Sequence, residues 1–202
     1  MPNEENERKQ LMMTSKNKKI LYSEIGVCGL SCRLCPNYHI GSINRCLGCK
    51  SDGRMAVGCP FITCAVKKKE IEFCWECNES TLCEKWRKHR ENGKKYDSFK
   101  CYQTLEKDIT FIQEHGIEAF VKDQKIREQL LREMLELFNE GRSKSYFCIA
   151  ATILDIDELR KAVETAKQQI NGMDIKNRSK VLHAIVDEIA KSKGYYLKLR
   201  KH

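Results

Sequence analysis

Ten cysteines fall within 56 residues, from Cys28 to Cys83, and no other feature of this 202-residue chain restricts its folding as severely. Roughly one residue in six is a cysteine there, well above the ~8–10% that marks a cysteine scaffold. A stretch this short buries too little apolar surface to hold itself together, and needs disulfides or metal. The cellular compartment chooses between them. The N-terminus is charged throughout, with no apolar segment like that of a signal peptide. No apolar run approaches the ~18 residues of a membrane span. The expected location is therefore the cytoplasm, where thiols stay reduced and clustered cysteines read as metal ligands.

The spacing sharpens this. Cys32 and Cys35 form one C-x2-C knuckle, and Cys46 and Cys49 a second, ten residues on. Cys59 and Cys64 form a looser C-x4-C pair, followed after nine residues by the knuckle Cys74–Cys77; Cys28 precedes the set and Cys83 follows it. A C-x2-C turn puts both sulfurs on one side of a tight loop, and two such turns complete the tetrahedron zinc prefers. Four turns predict two zinc ions, with two cysteines over. The candidate ligands are all ten: Cys28, Cys32, Cys35, Cys46, Cys49, Cys59, Cys64, Cys74, Cys77 and Cys83.

The alternative cofactor is a 4Fe-4S cluster. The opening C-x3-C-x2-C has the spacing of radical S-adenosylmethionine enzymes, and Cys35-Pro36 matches the C-P ending of ferredoxin runs. Against the first, the residues after the motif read as helices, not as a barrel of alternating strands and helices. Against the second, the C-x2-C-x2-C-x3-C run is absent. A thiol redox site at Cys74-Trp75-Glu76-Cys77 lacks the βαβ pattern it needs. Outside the cluster, Cys148 in "YFCIAAT" and Cys101 in "FKCYQTL" read as packed thiols. His39 is a weak candidate ligand, and His89, His115, His183 and His202 read as solvated or satisfied locally.

Three segments are expected: a disordered leader (1–19), a cysteine-rich metal-binding module (20–90) and an α-helical domain (91–202). "ILYSEIGV" at 20–27 predicts a short strand, and Trp75 and Trp86 are expected to cover the module. "CEKWRKHRENGKKYDSFK" predicts a short helix broken at Gly93 and a linker. Ile126, Leu130, Leu131, Met134, Leu137 and Phe138 mark one helix face ending near Gly141. "SYFCIAATIL" predicts a buried helix, and Asp155 with Glu158 a capping box for the next. That helix is expected to bury Leu159, Val163, Ala166 and Ile170 and to stop at Asn171-Gly172. Leu182, Ile185, Val186 and Ile189 mark the last. The fold class is mainly α, a small irregular module with short helices and one hairpin, packed on an α-helical bundle.

The chain carries 37 Lys+Arg against 28 Asp+Glu, a formal charge of +9. Zinc held by four thiolates carries −2, so two sites lower the total to about +5. Lys67–Lys69 and the run Lys85, Arg87, Lys88, Arg90, Lys94, Lys95, Lys100 are interleaved with acids and read as a solvated face, not as a nucleic-acid stripe. No Ser/His/Asp set, phosphate loop or pair of catalytic carboxylates stands out.

With these residues assembled, the chain resembles the cysteine-rich prokaryotic domain-of-unknown-function family 3795. The resemblance rests on "CGLSCRLCPNY" (Cys28–Tyr38), "CLGC" (Cys46–Cys49) and "CWECNESTLC" (Cys74–Cys83), with "EGRSKSYFCIAATILDIDEL" resembling a second block of longer members. It spans about residues 25–165. The sequence departs from the family pattern at "NESTLC", which lacks the usual Phe-Pro before the last cysteine. The resemblance implies metal binding, commonly zinc, and no defined activity. The expected function is a non-enzymatic, zinc-stabilised binding or adaptor protein whose partner is another protein, with no membrane. An iron–sulfur protein for electron transfer or redox sensing is the second expectation, and a nucleic-acid-binding regulator with weak binding the third.

Overall fold

A computed structural model describes residues 20–41 and 45–201; the leader expected over 1–19 lies outside them. Among the described residues there are eight α-helices and no strand, a mainly α architecture with the cysteine-rich segment at its N-terminal end. No helix among these residues is long and apolar enough to cross a membrane. The module carries α1 (Asp52–Val57) and α2 (Pro60–Ile62), which runs on into a π-helical turn over Thr63–Lys68. Then follow α3 (Glu84–Lys95), α4 (Leu105–His115), α5 (Ile117–Phe138), α6 (Lys144–Ile153), α7 (Ile156–Gln169) and α8 (Ile175–Lys193).

Apolar periodicity builds the bundle. α5, about 33 Å long at 1.5 Å per residue, packs against α4, α6, α7 and α8. It buries Phe120, Val121, Leu130, Leu131, Met134 and Phe138. Each such side chain contributes ~1.5–3 kcal/mol on full burial. α6 buries six of its ten residues, Cys148 among them at 1% exposure. Burial in this apolar setting pushes the Cys148 thiol up to about 12, so it stays a neutral, packed group. Leu159, Val163, Ala166 and Ile170 are buried as expected, as are Leu182 and Val186 of α8.

The local structure departs from expectation in several places. Residues 20–27 form no strand, and the only pairing there is a single antiparallel bridge between Ile25 and Ser31, so no hairpin forms among the described residues. The N–H groups of Leu21 and Tyr22 are taken instead by the Glu72 carboxylate, at 3.2 and 2.8 Å. Gly93 does not break α3. It is buried, and a Cβ there would come within 3.3 Å of Leu105 and 3.4 Å of Tyr102, so the glycine serves the close approach of α3 to the start of α4. The helix therefore runs through the module boundary expected at residue 90. α5 ends at Phe138, three residues before Gly141. Asp155 sits at the N-cap position of α7 but makes no capping bond; it and Glu158 hold Lys193 instead, at 3.1 and 2.8 Å.

Module and bundle are joined at several places, among them the apolar cluster of Ile25 and Phe73 with Ile112, Phe120 and Val121 and the two joints that follow. The 3₁₀ turn Cys32–Leu34 lies on α5 and α6, with Leu34 in the bundle's core. Beside it, buried Glu128 of α5 accepts from Arg33 and, at 2.7 Å, from Arg132. Burial alone would raise the Glu128 pKa; those two guanidinium groups hold it below the ordinary carboxylate value. The second joint is the C-terminal tail. Arg200 grips Asp97 with Nε and one terminal nitrogen, both at 3.0 Å, and donates to the carbonyls of Gly93 and Lys94 at the end of α3, at 2.8 and 2.7 Å.

Candidate metal centre

The first two knuckles meet. The Cys32–Leu34 turn is closed by the Cys35 N–H on the Cys32 carbonyl at 3.1 Å, and pinned by the Cys32 N–H on Glu24 at 2.6 Å. The facing Cys46–Cys49 loop passes through Gly48 at φ +107°, where a Cβ would stand 2.9 Å from the Ser23 carbonyl oxygen. Only glycine fits such a position, and its absence of a side chain lets the second knuckle close on the first. The result is a Cys32 Sγ to Cys49 Sγ distance of 3.7 Å. The edge of a tetrahedron of sulfurs around zinc, with Zn–S ~2.3 Å, is about 3.8 Å. Arg54 lies close enough to Cys46, Cys49 and Cys35 that all three raise its pKa, Cys46 most. Cys32, Cys35, Cys46 and Cys49 thus share one neighbourhood.

The electrostatics favour ionisation at this pair. The hydrogen bond between the two thiols draws the Cys32 pKa down, against the cost of burial and with help from Lys100 and Lys50. The same bond, and burial, push Cys49 up. Lys50 is itself buried at 2% exposure, with Nζ 2.9 Å from Glu72, 3.2 Å from the Tyr22 carbonyl and 3.8 Å over the Phe73 ring. Loss of solvation lowers its pKa; the Glu72 hydrogen bond opposes that.

A second set lines a cavity of about 100 Å³: Cys64, Cys74, Cys77 and Cys83, with Lys69 and Trp86 beside them. The π-helical turn presents Cys64. A 3₁₀ turn over Cys74–Glu76 presents Cys74 and Cys77, steadied by the Glu76 carboxylate, which accepts the N–H groups of Glu72 and Phe73 at 2.8 and 3.1 Å. Cys83 caps α3, its carbonyl taking the Arg87 N–H at 2.9 Å. Lys69 donates to the Cys77 sulfur at 3.2 Å and to Glu79 at 2.9 Å. Burial, followed by the nearby thiols Cys28, Cys83, Cys64 and Cys77, pushes Cys74 up to about 12. Spacing paired Cys59 with Cys64; here Cys83 lines the same cavity as Cys64, while Cys28, Cys49 and Cys59 line a separate, larger one.

All twelve cysteines are free thiols. Among the described residues, no three Cys, His, Asp or Glu side chains are arranged to hold an ion as they stand. The donor chemistry and the grouping of the thiols fit thiophilic metal; the side-chain positions stop short of a coordination shell. His39 is engaged elsewhere, its Nε2 2.6 Å from the Arg33 carbonyl oxygen. His183 Nε2 lies 2.7 Å from Ser143 Oγ, and Cys101 takes a hydrogen bond from Gln103 at 3.4 Å. Trp86 is 3% exposed against the second set, and Trp75 stacks on Phe73 at 4.5 Å.

The basic run is largely neutralised. Arg87 pairs with Glu91, Lys88 with Glu84, and Arg90 with Glu106 through two bonds of 2.7 and 2.6 Å. Lys100, read from the sequence as part of that face, is buried and donates to the Ser31 carbonyl. Lys50 and Lys100 are the residues sequence reasoning missed. The one signal for Lys50 is that it directly follows the second knuckle; Lys100 has none.

Residues 24–88 match the model of a family described as protein of unknown function (DUF3795). This is the family the sequence resembles, and the matched span holds all ten clustered cysteines. The block at 140–159 lies outside it. Comparisons with curated proteins and with solved structures return no match.

Proposed function

We propose that residues 28–83 form a module stabilised by two zinc ions, and that the protein is a non-enzymatic binding or adaptor protein of the cytoplasm. The observation that carries this reading is the 3.7 Å approach of Cys32 and Cys49, which brings two knuckles to the spacing of one zinc tetrahedron. The first ion would be held by Cys32, Cys35, Cys46 and Cys49, the second by Cys64, Cys74, Cys77 and Cys83. When bound, zinc supplies a cross-link worth about 10–16 kcal/mol per site. In a 4Fe-4S cubane each cysteine holds a different iron, and its thiolates stand wider apart than the Cys32–Cys49 pair.

Another protein is the partner this surface favours. Leu47, inside the second knuckle, is 61% exposed, and Leu82, beside Cys83, is 87% exposed. Apolar side chains at knuckle tips suit protein contact, whereas the ion-paired basic run leaves little field for phosphates.

The test is metal analysis of protein purified without air. Two zinc equivalents in a colourless preparation are expected, with one lost in Cys32→Ser and one in Cys64→Ser. A brown preparation with a band near ~400 nm and stoichiometric iron would replace zinc with a cluster. Sub-micromolar DNA or RNA binding at ~150 mM salt, abolished by replacing Lys85, Arg87, Lys88 and Arg90 with Ala, would replace the adaptor with a regulator.

A further inference from the structure

A cavity of about 520 Å³ opens where the turn at 27–30, the α1–α2 corner, α3 and the 99–102 connection come together. That is the size of a metabolite site, and such sites join apolar walls to a few convergent polar groups. Phe61, Phe99 and Tyr102 supply aromatic surface, and Val27, Leu30 and Ile62 the aliphatic remainder. The rings form a connected face: Phe61 lies 4.8 Å from His89, and His89 lies 5.4 Å from Tyr102, edge to face. Phe99, at the lip, is 54% exposed, a large apolar side chain left uncovered.

The polar lining has one sign. Arg54, His89 and Lys100 contribute to the wall, and no Asp or Glu does. Lys100 is 6% exposed, its ammonium group donates to the Ser31 carbonyl, and it pairs with no carboxylate among the described residues. A buried cation left without a counter-charge is costly. His89 adds a second unmet demand: its Nε2 is buried with no hydrogen-bond partner. Three thiols also line this space: Cys28 and Cys59, which the metal sets do not use, and Cys49 of the first set.

We propose that this cavity is a binding site for a small aromatic carboxylate, with the ring against Phe61, Phe99 and Tyr102 and the carboxylate directed to Lys100 and Arg54. The cavity adjoins the first metal set through Cys49 and Arg54, so metal content is followed alongside binding, and the proposal asks only for Lys100, Arg54 and the rings, whichever metal the cysteines hold. The competing sources of counter-charge for Lys100 are Asp108, whose carboxyl feels this lysine, and the Cys32–Cys49 thiolate centre, whose sulfurs feel it too. The charge of the probe separates these from a bound carboxylate.

The experiment titrates naphthoate and its neutral isostere naphthamide into the protein as purified, by calorimetry, with metal content measured on every sample. Saturable one-to-one binding of naphthoate is expected, about tenfold tighter than naphthamide, a difference of about 1.4 kcal/mol, because the carboxylate meets buried charge. Lys100→Met should abolish that preference, and metal content should show whether the module survives. Arg54→Gln, on the exposed side of the cavity, is the second variant and should weaken naphthoate about fivefold while sparing naphthamide. Equal affinity for the two probes, absence of saturable binding, or a naphthoate preference unchanged in Arg54→Gln and in metal-replete Lys100→Met would each overturn the proposal.

Discussion

Replacing Arg200 with Met should cost about 3 kcal/mol, although the residue is third from the C-terminus and lies in no helix. Its partner Asp97 has a fully buried side chain, and Arg200's own is 19% exposed. Removing one partner of a buried ion pair costs ~3–5 kcal/mol, because the remaining charge is left desolvated. Two features set the value at the low end. Asp97 keeps the backbone N–H groups of Tyr102 and Arg200, at 2.6 and 2.8 Å, and water can reach the vacated edge. The lost caps on Gly93 and Lys94 act the other way, since terminal helix carbonyls need partners. The assay is urea unfolding followed by helix signal in Arg200→Met, Asp97→Asn and the double variant. The double should cost less than the sum of the singles by at least ~1 kcal/mol. The pH dependence has a definite sign. Burial alone would raise the Asp97 pKa, but the Arg200 bonds hold it below its ordinary value. The pair's contribution is therefore full at neutral pH and is lost as pH falls below ~4. A cost under ~1 kcal/mol at pH 7, or additive singles, would refute the reasoning.

Chelation should raise hydrogen exchange across residues 28–83 while α5 to α8 keep their protection; slow exchange in the module after metal is stripped would show that metal does not hold it together. Cys148→Ala should leave metal content unchanged at a cost of roughly 1–2 kcal/mol, set by the volume deleted from the core; metal loss would redraw the ligand set. Asp108 is pushed up to about 6, chiefly by burial, although Thr104 donates to it at 2.9 Å. A raised carboxyl pKa means the fold penalises the charged form, so the penalty is absent below ~4 and complete above ~6. Asp108→Asn should therefore stabilise the protein at pH 7, by roughly 1–2 kcal/mol after allowance for partial exposure, and do nothing at pH 3.5; a variant no more stable at pH 7 would show that the charge is well solvated.

The sequence alone determined the mainly α class, the cysteine-rich N-terminal segment, and the buried faces of α5 to α8. Those depend on local repeats: 3.6-residue apolar periodicity is written along the chain, as is the spacing of the thiols. It misjudged 20–27, Gly93 and Asp155, because in each place a partner distant in sequence overrides local preference. Glu72 takes the N–H groups a strand would use, the close pass of α3 over Leu105 and Tyr102 requires Gly93, and Lys193 draws Asp155 off its capping role. The tertiary structure also decided which cysteines are neighbours. Spacing set Cys59 with Cys64, and the fold places Cys64 with Cys74, Cys77 and Cys83 around one cavity and Cys59 with Cys28 and Cys49 around another. Lys50 and Lys100 show the same limit most plainly. Nothing in a string of lysines tells which ammonium groups lose their water, since that depends on what the rest of the chain packs over them.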